Sequence, residues 1–346
     1  MKLKHIQWIG DDQGYLRILD QRFLPSVEKY WDCKTLQDVF QAIHCLAVRG
    51  APAIGIAAAY GCVIGHRQTG ITQAAQYLNQ SRPTAVNLAW ATQRMQKIEK
   101  RKTQNLLAEA KKIHQEDAQM CNDIGDLALE IFKVAKINAA LTENQTLNIM
   151  THCNAGALAT GGIGTATAGI YKAKQAGLKI KVYACETRPL LQGARLTSYE
   201  LQTQGIDVTV ICDSMASHAM QQNKIHLVIT GADRIARNGD SANKIGTLGH
   251  AIAAKHFRLP FYIAAPSSTF DPHAHTGQDI PIEQRDPTEL FKHYRHPVVP
   301  PNVNLWNPSF DVTPNALIHS IITEKGIIAP VNQTTIQALL PHTPDD

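Results

Sequence analysis

The chain has 346 residues, 44% hydrophobic and 18% charged, and its 34 Lys+Arg against 29 Asp+Glu leave a net charge of +5. That is an ordinary globular composition, on a chain longer than one core usually fills, so two domains are expected. Basic residues are dispersed and no apolar run approaches the roughly 18–20 residues that cross a bilayer, which argues against nucleic-acid and membrane partners.

The seven cysteines are odd in number and contain no Cys-x-x-Cys pair, so neither a disulfide framework nor a zinc site is indicated. With an N-terminus lacking an apolar signal core, this places the expected protein in a reducing cytoplasm.

In chain order, Ile6–Ile9 and Tyr15–Leu19 alternate around Gly10-Asp-Asp-Gln-Gly14 and read as a hairpin. Helical periodicity follows over Thr35–Val48, Ala53–Thr69, Thr84–Lys97 and Thr103–Leu141. The basic cluster Lys97–Lys102 falls among these and is expected to be a solvated helix face. After the polar interruption Leu141–Thr146 the pattern changes. Short apolar runs at Leu147–Thr151, Lys181–Ala184, Asp207–Ile211, Leu227–Thr230 and Phe261–Ala265 alternate with helical stretches. That alternation implies parallel strands with crossover helices. The expected architecture is a helical N-terminal domain with a short β element at 1–142 and a Rossmann-like, doubly wound α/β domain at 143–346.

Functional loops of such a domain lie at the C-terminal ends of its strands. After Ile225–Thr230 comes Asp233, then a Gly/Asn/Asp turn, then Asn243-Lys244, read as the opening of a helix. A carboxylate facing an amide, an ammonium and a helix N-terminus suits an anionic, hydroxyl-rich ligand. The loop Thr151–Thr165 carries Cys153 at a strand tip near a helix start, where a thiolate would be stabilised, though a packed thiol fits the position as well. Its Gly162-x-Gly164 pair outlines a dinucleotide fingerprint, but Thr167 replaces the third glycine. In Cys185–Thr197, the side chains of Arg188, Gln192 and Arg195 converge on one loop, facing either a ligand or neighbouring loops. Arg49-Gly50-Ala51-Pro52 and Ser81-Arg82-Pro83-Thr84 each put an arginine at a helix start, as anion contacts or as simple caps. His273-x-His275, in a Pro/Gly loop, reads as solvated rather than metal-binding.

Six blocks together resemble the methylthioribose-1-phosphate isomerase family: Arg49–Gly55, Ser81–Leu88, Thr151–Thr165, Glu186–Thr197, Gly231–Thr247 and Trp306–Pro314. They run in the family's order and cover about residues 20 to 330. The resemblance implies that Arg49, Gly50, Ala51, Arg82, Gln192, Asn243 and Lys244 bind a sugar phosphate. It implies Asp233 as catalytic acid and Cys153 as transition-state partner, with no cofactor and no metal. A homodimer and a role in methionine salvage are implied too. Two relatives share the fold. Regulatory subunits of the translation-initiation nucleotide-exchange complex usually lack the Cys and Asp, whereas both are present here. Ribose-1,5-bisphosphate isomerases keep both but differ around Arg49 and Arg82. The loop Phe270–Gly277 departs from the family's usual sequence.

In such a substrate the phosphate sits on the anomeric oxygen, so an acid must protonate the ring oxygen before the ring opens. An aspartate of ordinary acidity is ionised at pH 7, which leads to the expectation that Asp233 is buried.

Overall fold

The computed structural model describes residues 4–83, 85–101, 105–291 and 298–341; Thr84 and Thr103, named above, lie outside them, as does Lys102. The chain forms two compact units. One comprises Met1–Asn122 and Ala155–Gly164, the other Asp123–Asn154 and Thr165–Asp346. The division falls inside a long helix rather than at the expected 142/143, and the segment 155–164 belongs with the first unit.

The first unit opens with an antiparallel sheet, β1 (Ile6–Ile9), β2 (Tyr15–Leu19) and β3 (Tyr30–Cys33), in that order. The expected hairpin is β1–β2, in register from Ile6↔Ile18 to Ile9↔Tyr15. Helices α1 (Leu36–His44), α2 (Ala51–Thr69), α3 (Ile71–Asn79) and α4 (Val86–Arg101) follow, then the start of α5 (Leu106–Asn138). Thr35 caps α1 in a reciprocal box with Asp38. Helix α2 is buried without a break from Ala53 to Gly65, so it is a central helix and not an amphipathic one. Its small residues make that possible: a Cβ on Gly65 would stand 2.4 Å from that of Ala74 on α3. Helix α3 falls between the helical stretches read from the sequence, starting directly after Gly70 at φ +84°.

The second unit is built on a seven-stranded sheet whose later strands pair in the order β13-β12-β10-β7-β4-β5-β6. The parallel strands are β4 (Leu147–Thr151), β5 (Ile180–Cys185), β6 (Asp207–Ile211), β7 (Leu227–Thr230), β10 (Phe261–Ala264) and β12 (Ser320–Thr323). Strand β13 (Gly326–Ile328) returns antiparallel at the edge. Helices α6 (Ala168–Gln175), α7 (Ser198–Thr203), α8 (Ala216–Gln221) and α9 (Thr247–His256) fill the crossovers, and α10 (Gln333–Leu339) follows β13. All five expected strands are present within a residue or two, because β4, β7 and β10 lie deep in the sheet and are apolar on both faces.

Chain order runs β4-β5-β6 to one side and β7-β10-β12 to the other. The topological switch point therefore lies between β4 and β7, where ligands of doubly wound sheets bind. A second, small antiparallel sheet, in the order β11-β9-β8, joins β8 (Arg234–Ile235), β9 (Ser241–Lys244) and β11 (Phe310–Thr313). Asn243 and Lys244 thus end a strand instead of opening a helix, and α9 starts only at Thr247, after Gly246 at φ +103°. The alternation Ser-Ala-Asn-Lys pairs with residues nearly seventy positions away, from Phe310↔Lys244 to Thr313↔Ser241, which no local pattern reveals.

Candidate active site

Strand β4 delivers Cys153 and strand β7 leads to Asp233, on the two sides of the switch point. Cys153 is half-buried and takes a left-handed backbone, φ +61°. Its N–H donates to Thr187 Oγ1 at 2.8 Å, and its carbonyl accepts from Thr197 Oγ1 at 2.6 Å. Thr187 also donates to the Cys185 carbonyl, and Asp213 accepts from the backbone N–H groups of Thr187 and Arg188. The expected helix N-terminus is not the source of this order: α6 begins at Ala168. Two threonines of the next strand's loop hold the cysteine instead. Both lie in the Glu186–Thr197 motif, but nothing in their spacing said which residue they would grip.

Asp233 is exposed, and its N–H donates to the Ala242 carbonyl at 2.9 Å, which pins it beside β9. The expected burial is therefore absent. The turn stands open because β8 and β9 form a separate sheet beyond the main one. Arg234 next to it pairs with Asp271 at 3.0 Å, and Asp240 accepts from the N–H groups of Gly277 and Asn315. The atypical loop Phe270–Gly277 thus braces the turn that carries Asp233. His273 and His275 in that loop are exposed, as expected of solvated side chains.

Lys244 donates to the Ser309 carbonyl at 2.9 Å and lies over the Phe310 ring, 4.5 Å from its centre. Burial lowers its pKa, while the Cys153 and Asp233 groups raise it, so one ammonium is in electrostatic reach of both. Asn243 is buried and donates to Thr247 Oγ1 at 3.0 Å. Asp311 fixes the turn after Lys244 by accepting from the N–H groups of Gly246 and Leu248. Gln192 is buried on the loop after β5, and its Oε1 has no hydrogen-bond partner among the described residues; the same holds for Ser309 Oγ. Buried polar atoms left in that state cost about 1–3 kcal/mol each.

Arg188 turns its guanidinium to the carbonyls of Pro189 and Leu290, and Arg195 reaches the Leu190 carbonyl at 3.4 Å. Of these contacts only that of Arg188 with Leu290 joins two loops; that of Arg195 stays within its own. Of the supposed fingerprint pair, Gly162 serves close packing on α5, since a Cβ there would lie 2.9 Å from Ala118 Cα, while Gly164 sits at φ +88°.

In the first unit, Gly50 at φ +94° starts α2, followed by Ala51 and Pro52. A side chain on Gly50 would collide with Ala159, 2.5 Å from its carbonyl oxygen. Arg49 Nε donates to Gln21 Oε1 at 3.2 Å, and Gln21 in turn holds the Leu158 carbonyl. A helix N-terminus beside a fixed arginine suits an anion. Arg82 is half-buried in the turn before α4.

One group of side chains has metal-ligand character. The donor atoms of His152, Cys185, Asp213 and His250 lie within 4.8 Å of one another. Their internal bonding accounts for the arrangement. His152 donates through Nε2 to the Ile245 carbonyl, and its Nδ1 accepts from His250 Nε2 at 3.1 Å. Both carboxylate oxygens of Asp213 are taken by amides. Burial drives His152 down to about 4 and His250 to about 3, and it pushes the Cys185 thiol up. All three side chains are neutral at pH 7.

The sequence pattern of the Initiation factor 2 subunit family matches residues 47–330, and the chain belongs to that family. It is 47% identical to a methylthioribose-1-phosphate isomerase of Bacillus pumilus over 97% of this chain and 96% of the relative. It is 46% identical to a 5-deoxyribose 1-phosphate isomerase of Bacillus cereus over 93% of this chain and 94% of the relative. Among solved structures, 5-methylthioribose 1-phosphate isomerase from Pyrococcus horikoshii superposes with a TM-score of 0.87 at 35% identity, covering 98% and 96% of the two chains. The translation initiation factor eIF-2B subunit delta from A. fulgidus gives 0.86 at 37%, covering 99% and 100%.

Proposed function

We propose that this chain is an aldose–ketose isomerase converting 5-methylthioribose 1-phosphate to 5-methylthioribulose 1-phosphate, acting in methionine salvage without a cofactor. The observation that carries this reading is the pairing of Cys153 and Asp233 on either side of the sheet's switch point, with Lys244 in electrostatic reach of both. Kinship with enzymes of that name supports the substrate class. A homodimer in the cytoplasm belongs to the same proposal; no helix among the described residues is long and apolar enough to cross a membrane.

In this mechanism Asp233 protonates the ring oxygen, because the anomeric oxygen carries the phosphate and has no proton to lose. The exposed carboxyl acquires its apolar cover from the bound sugar and its 5-substituent, which exclude water and favour the neutral acid. Within the second unit Asn243 and Lys244 hold the phosphate and hydroxyl groups, and Gln192 Oε1 accepts a sugar hydroxyl. Hydrogen then moves from C2 to C1, either through an enediol with the Cys153 thiolate as base or as a hydride passing directly between the carbons, and the C2 hydroxyl proton returns to the Asp233 carboxylate as the ketone forms. Deuterium at C2 separates the routes: washout to solvent marks the enediol, retention the hydride.

Incubation with methylthioribose 1-phosphate and no cofactor should yield a ketose phosphate, and its absence would leave a non-catalytic binder. Kinship with the 5-deoxyribose 1-phosphate enzyme favours a second reading in which that sugar is the substrate. Comparing kcat/KM for the two sugars decides between them.

A further inference from the structure

We propose that Thr187 and Thr197 are positioning residues that clamp Cys153 in its left-handed conformation and so aim its thiol at the substrate and toward Lys244. This rests on the reading of Cys153 as a participant in the isomerisation.

The argument begins with the backbone. A residue with a Cβ pays steric energy at positive φ, of order 1–3 kcal/mol where the surroundings impose it, so something must hold Cys153 at +61°. The two polar backbone groups of Cys153 itself are both taken by hydroxyls. Thr187 Oγ1 accepts its N–H at 2.8 Å and Thr197 Oγ1 donates to its C=O at 2.6 Å. Neither hydroxyl is loose. Thr187 donates onward to the Cys185 carbonyl at 2.9 Å, and its own N–H is fixed by Asp213 at 2.8 Å. Thr197 accepts from Asn154 Nδ2 at 3.1 Å, which fixes the residue after the cysteine as well. Both threonines are fully buried, and Thr187 sits at φ +67° itself, so the clamp is rigid on both sides.

Rotating a residue from this region to an extended one swings its Cβ by more than an ångström. Misplacement on that scale costs on the order of 10²-fold in rate. Lys244 gives the aim chemical meaning, since an ammonium near a thiol favours its thiolate form.

The test uses Thr187→Val and Thr197→Val, which keep shape and lose the hydroxyl, beside Thr187→Ser and Thr197→Ser, which keep it. Two quantities are read: kcat and KM with methylthioribose 1-phosphate, and the pH profile of iodoacetamide alkylation at Cys153, followed by peptide mass spectrometry because other thiols also react. The valine variants should lose about 10–100-fold in kcat with KM within about twofold. Their Cys153 alkylation midpoint should move to higher pH as the thiol leaves Lys244, and the serine variants should behave as the parent. Valine variants with the parent kcat and the parent alkylation profile would overturn the proposal, as would serine variants as impaired as valine. If Thr187→Val does not fold, Thr197→Val carries the same test through the carbonyl-side bond alone. Alkylation needs no turnover, so a parent protein inactive on the sugar phosphate removes the isomerase reading and leaves the clamp still tested.

Discussion

The most demanding residue of the proposed mechanism is Asp233, whose assigned role as an acid falls to an exposed side chain. Its N–H bond to Ala242 and the brace from Arg234–Asp271 hold the backbone, so the side chain is presented rather than enclosed. Asp233→Asn removes the proton and little else, since the amide is the same size and the turn is held by main-chain contacts. Turnover should disappear while substrate or product-analogue affinity changes by less than about threefold; calorimetric titration beside a turnover assay checks both. Normal turnover in that variant would remove Asp233 from the mechanism. Lys244→Met should behave in the opposite way. It keeps an unbranched side chain and deletes the charge that stands over Phe310, so KM should rise by about tenfold or more with a smaller loss in kcat. An unchanged KM would argue against a phosphate contact. The residue types of this site were visible in the motifs, but Asp233's exposure and Cys153's clamp depend on partners from other loops, which spacing does not encode.

At the scale of elements, legibility followed the range of the interactions that make each one. Strands β4, β7 and β10 are apolar on both faces and announce themselves in four or five consecutive residues. The small sheet of β8, β9 and β11 does not, because Asn243 and Lys244 become strand residues only by pairing with Phe310 and Asp311. Helix α2 was legible as closely packed from its alanines and glycines, and the structure explains why those sizes are required. Gly65→Leu places side-chain atoms where Ala74 of α3 already stands. Overpacking of this kind costs about 1–3 kcal/mol, to be read as a lower Tm with the secondary-structure spectrum retained. Asp311 ties β11 to the first turn of α9 through two amides, those of the left-handed Gly246 and of Leu248. Asp311→Ala strands both donors and frees the turn behind Lys244. It should lower stability by about 1–3 kcal/mol and raise KM together with it.

At the scale of the whole molecule, buried titratable groups set how the protein answers acid. His5, His152 and His250 are held neutral by burial, at about 4, about 4 and about 3 against an ordinary 6.5. A base with a depressed folded pKa takes up a proton on unfolding between those values. Its contribution to stability is therefore present above pH 6.5 and lost as pH falls toward 4. Asp117 acts in the opposite sense. Burial lifts its carboxyl from 3.8 to about 6, so its penalty on folding grows as pH rises through that interval and is relieved in acid. Asp117 and His5 belong to the first unit and act in opposite senses there, whereas His152 and His250 belong to the second and act in the same sense. Asp117→Asn keeps an acceptor for the Gly161 N–H and removes the buried charge. That variant should gain up to about 3 kcal/mol of stability at pH 7.5, shrinking toward zero near pH 4, in urea unfolding followed at both pH values.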